Sequence, residues 1–346
     1  MAFSSLKSSM RCGARPCARA PAKAARRTVT VVASSVAELN EKYGIPGSVE
    51  FKDGKSGSPM VVLKHACGSS AEMYLYGACV TSWKQPSGDE ILYVRPDAVF
   101  DKSKPISGGI PHCFPQFGPG PMQQHGFARN LDWTVSTTSA DPNPDDKDCA
   151  TFPLSPNPSQ CGQDPMVEVV LTESDYTLKM FPYKFKAVYC VSLHGEQLNC
   201  ELRVINTDDK PFDFTAALHT YIEVLAIEKA KVTGLKGLTY LCKAKDPKTP
   251  ETKVEDREEV TFSGYTDSVY LNSPSHVELE VGTGAAIALD SSGWEDTVVW
   301  NPHLTMKDCY QNFCCVENAK FGKPATVAPG ESWSATVTLS VVDVTK

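Results

Sequence analysis

The stretch KFKAVYCVSLHGEQLNCELRV, residues 184–204, alternates between apolar and polar side chains along most of its length. The apolar positions form two series: Phe185, Ala187, Tyr189, Val191 and Leu193, then Leu198, Cys200, Leu202 and Val204. Successive side chains of a β-strand point to opposite faces, so a period of two is the pattern of a half-buried strand. This stretch therefore predicts two strands, each with one apolar face.

The same alternation recurs along most of the chain, in MVEVVLTE (166–173), in residues 212–218, in HVELEV and AAIALD on either side of Gly282 and Gly284, and in residues 333–341. Many short strands of this kind indicate stacked antiparallel sheets. No βαβ unit or phosphate-binding glycine motif is visible, which argues against a nucleotide-binding fold. We predict an all-β fold, a large antiparallel β-sandwich over residues 45–343. A short helical lead-in over residues 35–44 is expected to end at Gly44.

Residues 1–34 differ in composition from the rest, with seven Lys and Arg, no acidic residue, and many Ala and Ser. That is typical of an organelle transit peptide, although a basic arm for nucleic acid has a similar charge. We expect a disordered transit peptide here, and the MAFSS start favours the chloroplast over the mitochondrion, with a stromal location for the protein. The remaining chain holds 27 basic and 41 acidic residues, a formal charge of −14. This acidic body argues against nucleic acid as a partner.

The chain has no run of 18 apolar residues, so no membrane partner is expected, and we expect a monomer. Thirteen Cys are present, two of them in the leader, and none of the remaining eleven forms a CxxC pair. This argues against a zinc site and against a full disulfide framework, so no metal or other cofactor is predicted. Cys149 and Cys161, in a Pro-rich segment, could close a small loop or remain unpaired thiols.

Residues 104–133, KPISGGIPHCFPQFGPGPMQQHGFARNLDW, hold too much Gly and Pro for a regular element and too many aromatic residues for a solvated linker. Loops of this kind usually line a site on a rigid scaffold. Gln124, His125 and Arg129 place an amide, an imidazole and a fixed cation within six residues. A packed loop whose His125 and Arg129 satisfy buried carbonyls explains the composition equally well.

The segments GGIPHCFPQFG and QHGFARN resemble the paired signature of the aldose 1-epimerase superfamily, in particular its hexose-6-phosphate mutarotase branch, the glucose-6-phosphate 1-epimerases. Four later segments agree in order: LHTYIEV (218–224), TDSVY (266–270), DTVVWNP (296–302) and CVEN (315–318). The resemblance covers roughly residues 45–343. It implies a cofactor-independent isomerase that interconverts the α and β anomers of a hexose 6-phosphate.

Three further polar residues remain ambiguous without the resemblance. His219 shares the mixed face of its strand with Thr215 and Tyr221, where an exposed surface His is equally compatible. Glu317 ends the apolar run YQNFCCVE, where burial would raise the pKa of the carboxyl towards that of a useful base, unless the side chain has turned into solvent. Asp267 reads as a turn residue.

The resemblance assigns a role to each of the six candidate residues. It implies that His219 is the general acid and Glu317 the general base. It also implies four substrate-binding residues: Gln124, His125 and Asp267 for the sugar, and Arg129 for an anionic group.

The sequence departs from the family pattern at two positions. Ser107 stands where an Arg usually precedes the two glycines, and His112 stands where an aliphatic residue is usual. Lys102 or Lys104 could replace the missing cation. The loss of that Arg keeps two alternatives open: an epimerase for unphosphorylated aldoses, and a carbohydrate-binding module without turnover.

The leader composition generates a prediction about localisation. A fluorescent protein fused behind residues 1–40 should enter the chloroplast stroma of plant or algal cells, because import receptors read basic, acid-free segments of this kind. Confocal imaging against chlorophyll fluorescence measures it. A cytosolic or mitochondrial signal contradicts the prediction.

Overall fold

The computed structural model describes residues 35–140 and 164–344. Residues 1–34, together with Cys149 and Cys161, lie outside these ranges. The predicted lead-in helix is confirmed as α1 (Val36–Tyr43). Ser35 caps it reciprocally with Glu38, and the N–H of Gly44 closes its last turn on the Asn40 carbonyl. Within the described ranges, no helix is long and apolar enough to cross a membrane.

The rest of the described chain is mainly β-structure. The strands are β1 (Val49–Asp53), β2 (Pro59–Lys64), β3 (Ser70–Tyr74), β4 (Cys79–Lys84), β5 (His112–Cys113), β6 (Thr134–Ser139), β7 (Met166–Thr172), β8 (Phe185–His194), β9 (Gln197–Asn206), β10 (Phe212–Leu218), β11 (Tyr221–Glu223), β12 (Lys231–Thr233), β13 (Thr239–Cys242), β14 (Glu251–Val254), β15 (Thr266–Tyr270), β16 (His276–Glu280), β17 (Ala285–Ser292), β18 (Asp296–Asn301), β19 (Phe313–Val327) and β20 (Ser332–Asp343).

These strands form three antiparallel sheets in the described ranges, which confirms the predicted fold class. The first sheet has the order β1-β2-β3-β4. The second, called the site sheet below, has the order β14-β13-β15-β18-β19-β10-β5, with β11 also paired to β19. The third has the order β12-β16-β17-β20-β9-β8-β7-β6. β8 and β9, the two strands of residues 184–204, lie inside the third sheet.

The main core contains the inward faces of the site sheet and the third sheet. Alternate residues of β10 belong to it as the period of two predicts, namely Phe212, Phe214, Ala216 and Leu218. Across the core, the ring of Phe214 lies 5.3 Å from the ring of Trp333 on β20. Phe114, from the loop between β4 and β6, packs 5.5 Å from Phe185 on β8. Aromatic burial of this kind supplies most of the stability of a sandwich.

β19 separates the core from the opposite face of the site sheet. Cys314 and Val316 belong to the core, so Cys315 and Glu317 point the other way. The interpretation that Glu317 ends its strand is wrong, because β19 continues to Val327. Pairing continues past this point since Ala319 is opposite both Ala217 on β10 and Asp296 on β18. Glu317 is therefore held in the interior of a central strand.

The loop 104–133 is held by the first sheet and by the site sheet. Gly109 has a φ of +68°, and a Cβ there would lie 2.0 Å from the Val80 carbonyl oxygen, so only glycine fits. Further along, β5 pairs with β10, with His112 opposite Leu218 and Cys113 opposite Ala217. This pairing turns His112 towards the main core and Cys113 towards the opposite face.

His112 is fully buried, with its ring 4.3 Å from that of Tyr189 and 5.0 Å from that of Trp133. Burial lowers the pKa of its imidazole from 6.5 to about 3. A neutral imidazole can therefore fill this apolar, aromatic cage.

This burial makes stability depend on pH. Below pH 6.5 the unfolded chain binds a proton at His112 that the folded chain does not, so the free energy of unfolding should fall on acidification down to about pH 3. Replacing His112 by Leu should flatten this fall by at most about 1.4 kcal/mol per pH unit. Urea titrations from pH 7 to pH 4 measure it.

His276→Gln is the control, because the hydrogen bond that His276 Nδ1 donates to the Asp290 carboxylate, partly offset by burial, raises the pKa of His276. A raised pKa stabilises the fold fully below pH 6.5 and this contribution is lost as pH rises through the folded pKa, so its removal should leave the slope below pH 6.5 unchanged. An unchanged slope for His112→Leu contradicts the assignment.

Candidate active site

One face of the site sheet gathers the polar candidates. Residues directly opposite each other in antiparallel strands share a face. Asp267 is opposite Trp300, Trp300 is opposite Cys315, and Cys315 is opposite Tyr221, so these four form one row across β15, β18, β19 and β11. Glu317 lies two residues beyond Cys315 and on the same face. The strands thus place an acidic, partly aromatic surface opposite the core.

His219 and Glu317 lie together on this face. Leu218 pairs with Asn318, so the next residue, His219, comes beside Glu317. His219 Nδ1 is 3.4 Å from Glu317 Oε1, and the two residues are 8% and 1% exposed. The alternative of an exposed surface His is thereby wrong, as is that of a solvated Glu. The His219 ring stacks at 4.8 Å on Tyr221 and meets Trp300 edge-on at 5.6 Å.

The surroundings of the pair oppose charge on both groups. Burial, followed by the negative charge of Asp267, raises the pKa of Glu317 well above 4.5, against the opposing charges of Lys243 and Arg129. Burial, followed by Arg129, lowers the pKa of His219 to about 3. These two shifts favour a neutral imidazole beside a neutral carboxylic acid.

His125 is held by its own loop. Its backbone has a φ of +65°, and its Nδ1 accepts a hydrogen bond from the N–H of Gly118 at 3.1 Å, with Cys113 Sγ also at 3.1 Å. Burial, and then the charge of His219, strongly lowers the pKa of the ring, so His125 is neutral. Because Nδ1 accepts, the proton belongs on Nε2, which lies 3.4 Å from the Gln124 amide. The ring centre is 5.6 Å from that of His219.

The remaining three predicted residues surround this centre. Arg129 lies in a short 3₁₀ turn (Ala128–Asn130), and its Nη2 donates to the Gln124 carbonyl at 2.9 Å. The Gln124 side chain is exposed at the mouth of the site. Asp267 is half-buried in β15 rather than in a turn, and burial raises its pKa against the charge of Lys243. The structure thus brings all six predicted residues to one region.

The structure offers a different replacement for the absent Arg from the two lysines that were predicted. Lys102 Nζ is 2.7 Å from a carboxylate oxygen of Asp132 at the surface, and Lys104 is exposed. Arg95, however, is directly opposite Ser107, because its N–H bonds the Ser107 carbonyl at 3.0 Å beside the Val94–Gly108 bridge. Arg95 therefore lies directly beside position 107, where the family pattern has an Arg.

The Arg95 side chain is only 17% exposed. Its Nε and Nη2 bond the exposed carboxylate of Asp97 at 2.9 and 2.6 Å. Burial raises the pKa of Tyr221, and the charges of Arg95 and Arg129 both act against this rise. Two cations therefore act on the tyrosine that stacks against His219.

The sequence did not identify Arg95, Trp300 or Lys243 as site residues. Trp300 lies on the site face against His219. Lys243 was not identified, although its charge acts on Glu317 and Asp267. No local signal could have found Lys243, because only the pairing of β13 with β15 places it beside Asp267. Asp296 and Asn301 form hydrogen bonds with backbone groups and thereby support the segments around β18.

A divalent cation could also fit at the centre. Ligand atoms of His219, Cys315 and Glu317 all lie within 4.8 Å of one another, and these three residue types are ligands that zinc accepts. An ion held there would occupy the two side chains best suited to acid–base chemistry. The arrangement of His219, Glu317 and His125 can move protons with side chains alone.

Comparison with known proteins identifies the family of this chain. The model of the aldose 1-epimerase family matches residues 59–340. A protein of Cenchrus ciliaris with the name "Putative glucose-6-phosphate 1-epimerase" is 36% identical over 300 residues, which cover 83% of this chain and 86% of that protein. A protein of Escherichia coli K12 with the same name is 32% identical over 261 residues, which cover 72% of this chain and 79% of that one.

Solved structures agree on the fold. The crystal structure of a "putative mutarotase" from Salmonella typhimurium superposes with a TM-score of 0.73 at 26% identity, covering 87% of this chain and 96% of that one. A galactose mutarotase-like protein from Clostridium acetobutylicum gives a TM-score of 0.68 at 17% identity, covering 86% and 98%. At that lower identity the likeness concerns the fold alone.

Proposed function

The chain belongs to the aldose 1-epimerase family, and we propose that it interconverts the α and β anomers of a hexose 6-phosphate, glucose 6-phosphate in particular. The observation that carries this proposal is the buried His219–Glu317 pair, 3.4 Å apart beside Arg129. A module that only binds sugars needs no buried acid and base, because burying two ionisable groups is costly. We assign the protein to the isomerases.

The reaction opens and recloses the sugar ring. Glu317 takes the proton of the anomeric hydroxyl while His219 protonates the ring oxygen, which breaks the bond between the ring oxygen and C1. The aldehyde carbon rotates, and the reverse proton transfers close the ring on its other face. The Nε2–H of His125 hydrogen-bonds the sugar, with Gln124 and Asp267 on its hydroxyls. No cofactor enters any step.

One proton shared by the pair accounts for both half-reactions. With Glu317 ionised and His219 protonated, the site is set to open the ring. After opening, Glu317 carries the proton and His219 is neutral, which is the arrangement that burial of the two groups favours. Because that arrangement matches the open-chain state, the site lowers the free energy of the aldehyde intermediate relative to the cyclic sugar.

The phosphate has two candidate cations. Arg129 acts electrostatically on His219 and Glu317, and Arg95 acts on Tyr221, which stacks on His219. A phosphate bound between two guanidinium groups gains charge-assisted hydrogen bonds. Arg95 uses Nε and Nη2 for Asp97 and can turn this fork to the phosphate. The presence of Arg95 opposite Ser107 favours the phosphorylated sugar over the unphosphorylated alternative.

We also propose that the protein works as a monomer in the chloroplast stroma. The basic, acid-free composition of residues 1–34 supports the stroma.

His219→Asn and Glu317→Gln test the acid–base assignment. Each should slow anomer exchange of glucose 6-phosphate by about 10²–10⁴-fold, the usual worth of a positioned acid or base. The double variant should be no slower than the worse single variant, because the two groups exchange one proton. Saturation-transfer NMR on the purified protein measures the exchange above the spontaneous rate.

The matched control is an exposed pair on the third sheet, His276 and Glu278, whose side chains are 3.1 Å apart. His276→Gln and Glu278→Gln should keep full activity. If Glu317→Gln keeps activity as well, Glu317 is not the base. Additive losses in the double variant would contradict the shared proton.

The two guanidinium groups generate a prediction about specificity. Arg129→Ala and Arg95→Ala should each lower the preference for glucose 6-phosphate over glucose, because hydrogen bonds to charged groups contribute on the order of 1.5–3 kcal/mol, about 10–100-fold. Ser107→Arg should enlarge the preference. The ratio of kcat/KM for the two sugars measures this effect.

Asp97→Asn provides the comparison for Arg95, because it removes the surface partner and keeps the cation. It should leave the preference for the phosphorylated sugar unchanged or larger. If Arg129→Ala lowers kcat/KM for both sugars equally, Arg129 maintains the loop and does not bind phosphate. If Arg95→Ala leaves the ratio unchanged, Arg95 is not the replacement for the missing cation.

A further inference from the structure

Lys243 is a buried ammonium group that the proposed mechanism does not use. It directly follows β13, where Cys242 pairs with Ser268, and its N–H bonds the Asp267 carbonyl at 2.7 Å. Lys243 therefore extends the row of Asp267, Trp300 and Cys315 by one strand. Its side chain starts on the site face of the sheet.

Two aromatic rings hold this side chain over the site. Lys243 Nζ lies 4.3 Å from the centre of the Phe321 ring and 4.8 Å from that of Phe117. Phe321 belongs to β19, so the side chain reaches back across β15 and β18 towards the strand that carries Glu317. A Cβ added to Gly118, which bonds His125, would lie 3.8 Å from the ammonium. Lys243 thus points at the catalytic centre.

The ammonium is buried without a direct counter-ion. Lys243 is 5% exposed, and it forms no ion pair within 4.0 Å among the residues that the structure describes. Burial lowers its pKa, while the charges of Asp267 and Glu317 oppose that shift. A desolvated cation held by ring faces alone is costly unless a ligand supplies an acceptor.

The order of the strands indicates which part of the sugar reaches Lys243. From β10 outwards the site sheet presents His219, Glu317 on β19, Asp267 on β15 and then Lys243. In the sugar, the ring oxygen, C1 and C2 follow one another in the same way. With the ring oxygen at His219 and the anomeric hydroxyl at Glu317, C2 is directed towards Asp267 and Lys243. C6 and its phosphate are directed the opposite way.

We propose that Lys243, together with Asp267, binds the hydroxyl at C2 and makes the site selective for it. This inference rests on the proposed function. The ammonium donates to the hydroxyl oxygen while the carboxylate accepts the hydroxyl proton, so one hydroxyl satisfies both groups. A sugar without this hydroxyl leaves a buried cation unpaired, and a sugar with an ammonium at C2 is repelled by Lys243.

The test compares Lys243→Met and Lys243→Arg with the unmodified protein on three substrates at pH 7: glucose 6-phosphate, 2-deoxyglucose 6-phosphate and glucosamine 6-phosphate. The unmodified protein should prefer glucose 6-phosphate over the deoxy sugar by about 10–100-fold in kcat/KM. Lys243→Met should lose most of this preference, mainly through a higher KM for glucose 6-phosphate. It should also improve glucosamine 6-phosphate relative to glucose 6-phosphate. Lys243→Arg should restore part of the preference.

Lys245→Met is the control, because Lys245 lies two residues away with an exposed side chain paired to Glu251 at 2.6 Å. Its kcat/KM ratios should equal those of the unmodified protein. If Lys243→Met lowers kcat/KM for glucose 6-phosphate and its 2-deoxy analogue by the same factor, Lys243 acts through Glu317 or through the fold, and the proposal is wrong.

A binding measurement separates this proposal from the catalytic one. 1,5-Anhydroglucitol 6-phosphate keeps the C2 hydroxyl but has no anomeric hydroxyl, so it binds without turnover. Calorimetry should show that Lys243→Met weakens its binding about 10-fold and leaves its 2-deoxy analogue unaffected. If Lys243→Met shows this selective weakening but the unmodified protein does not catalyse anomer exchange, the proposed function is wrong and the role of Lys243 is supported. Equal weakening of both analogues overturns the role of Lys243.

Discussion

The burial of Glu317 in the middle of β19 is the constraint on which the rest of the site depends. A carboxyl group 1% exposed, beside the negative charge of Asp267, is costly to keep ionised. The positive charges of Lys243 and Arg129 offset part of this cost, and His219 lies close enough to share the proton. The chemistry of the site follows from this balance, because the raised pKa of Glu317 makes its carboxylate a stronger proton acceptor.

The two faces of the site sheet have different tasks, and β19 shows how they are combined. Cys314 and Val316 stabilise the fold by packing into the main core, while Cys315 and Glu317 face the candidate active site. Successive side chains of a strand point to opposite faces. Packing one face into the core therefore also fixes the positions of the side chains on the other face. This explains how polar groups that cost stability persist here, since the core beneath them offsets that cost.

Arg95 and Ser107 illustrate that a sheet can keep a charge in place while its sequence position changes. The two residues are far apart in the chain but directly opposite in the structure, through the bond from the Arg95 N–H to the Ser107 carbonyl. A cation needed at one point of the site can therefore come from either strand. The sequence shows only a serine at position 107, whereas the fold places Arg95 opposite it.

The sequence by itself determined the alternation of the strands, and with it the all-β fold and the face of β10 that carries His219. It also determined the lead-in helix that ends at Gly44 and the unusual composition of the loop 104–133, because these are properties of neighbouring residues. The tertiary structure decided what depends on register between distant strands: that Glu317 lies inside β19, that Lys243 comes beside Asp267, and that Arg95 faces Ser107. Local patterns carry no information on which strands pair, since pairing is set by the packing of the whole sandwich.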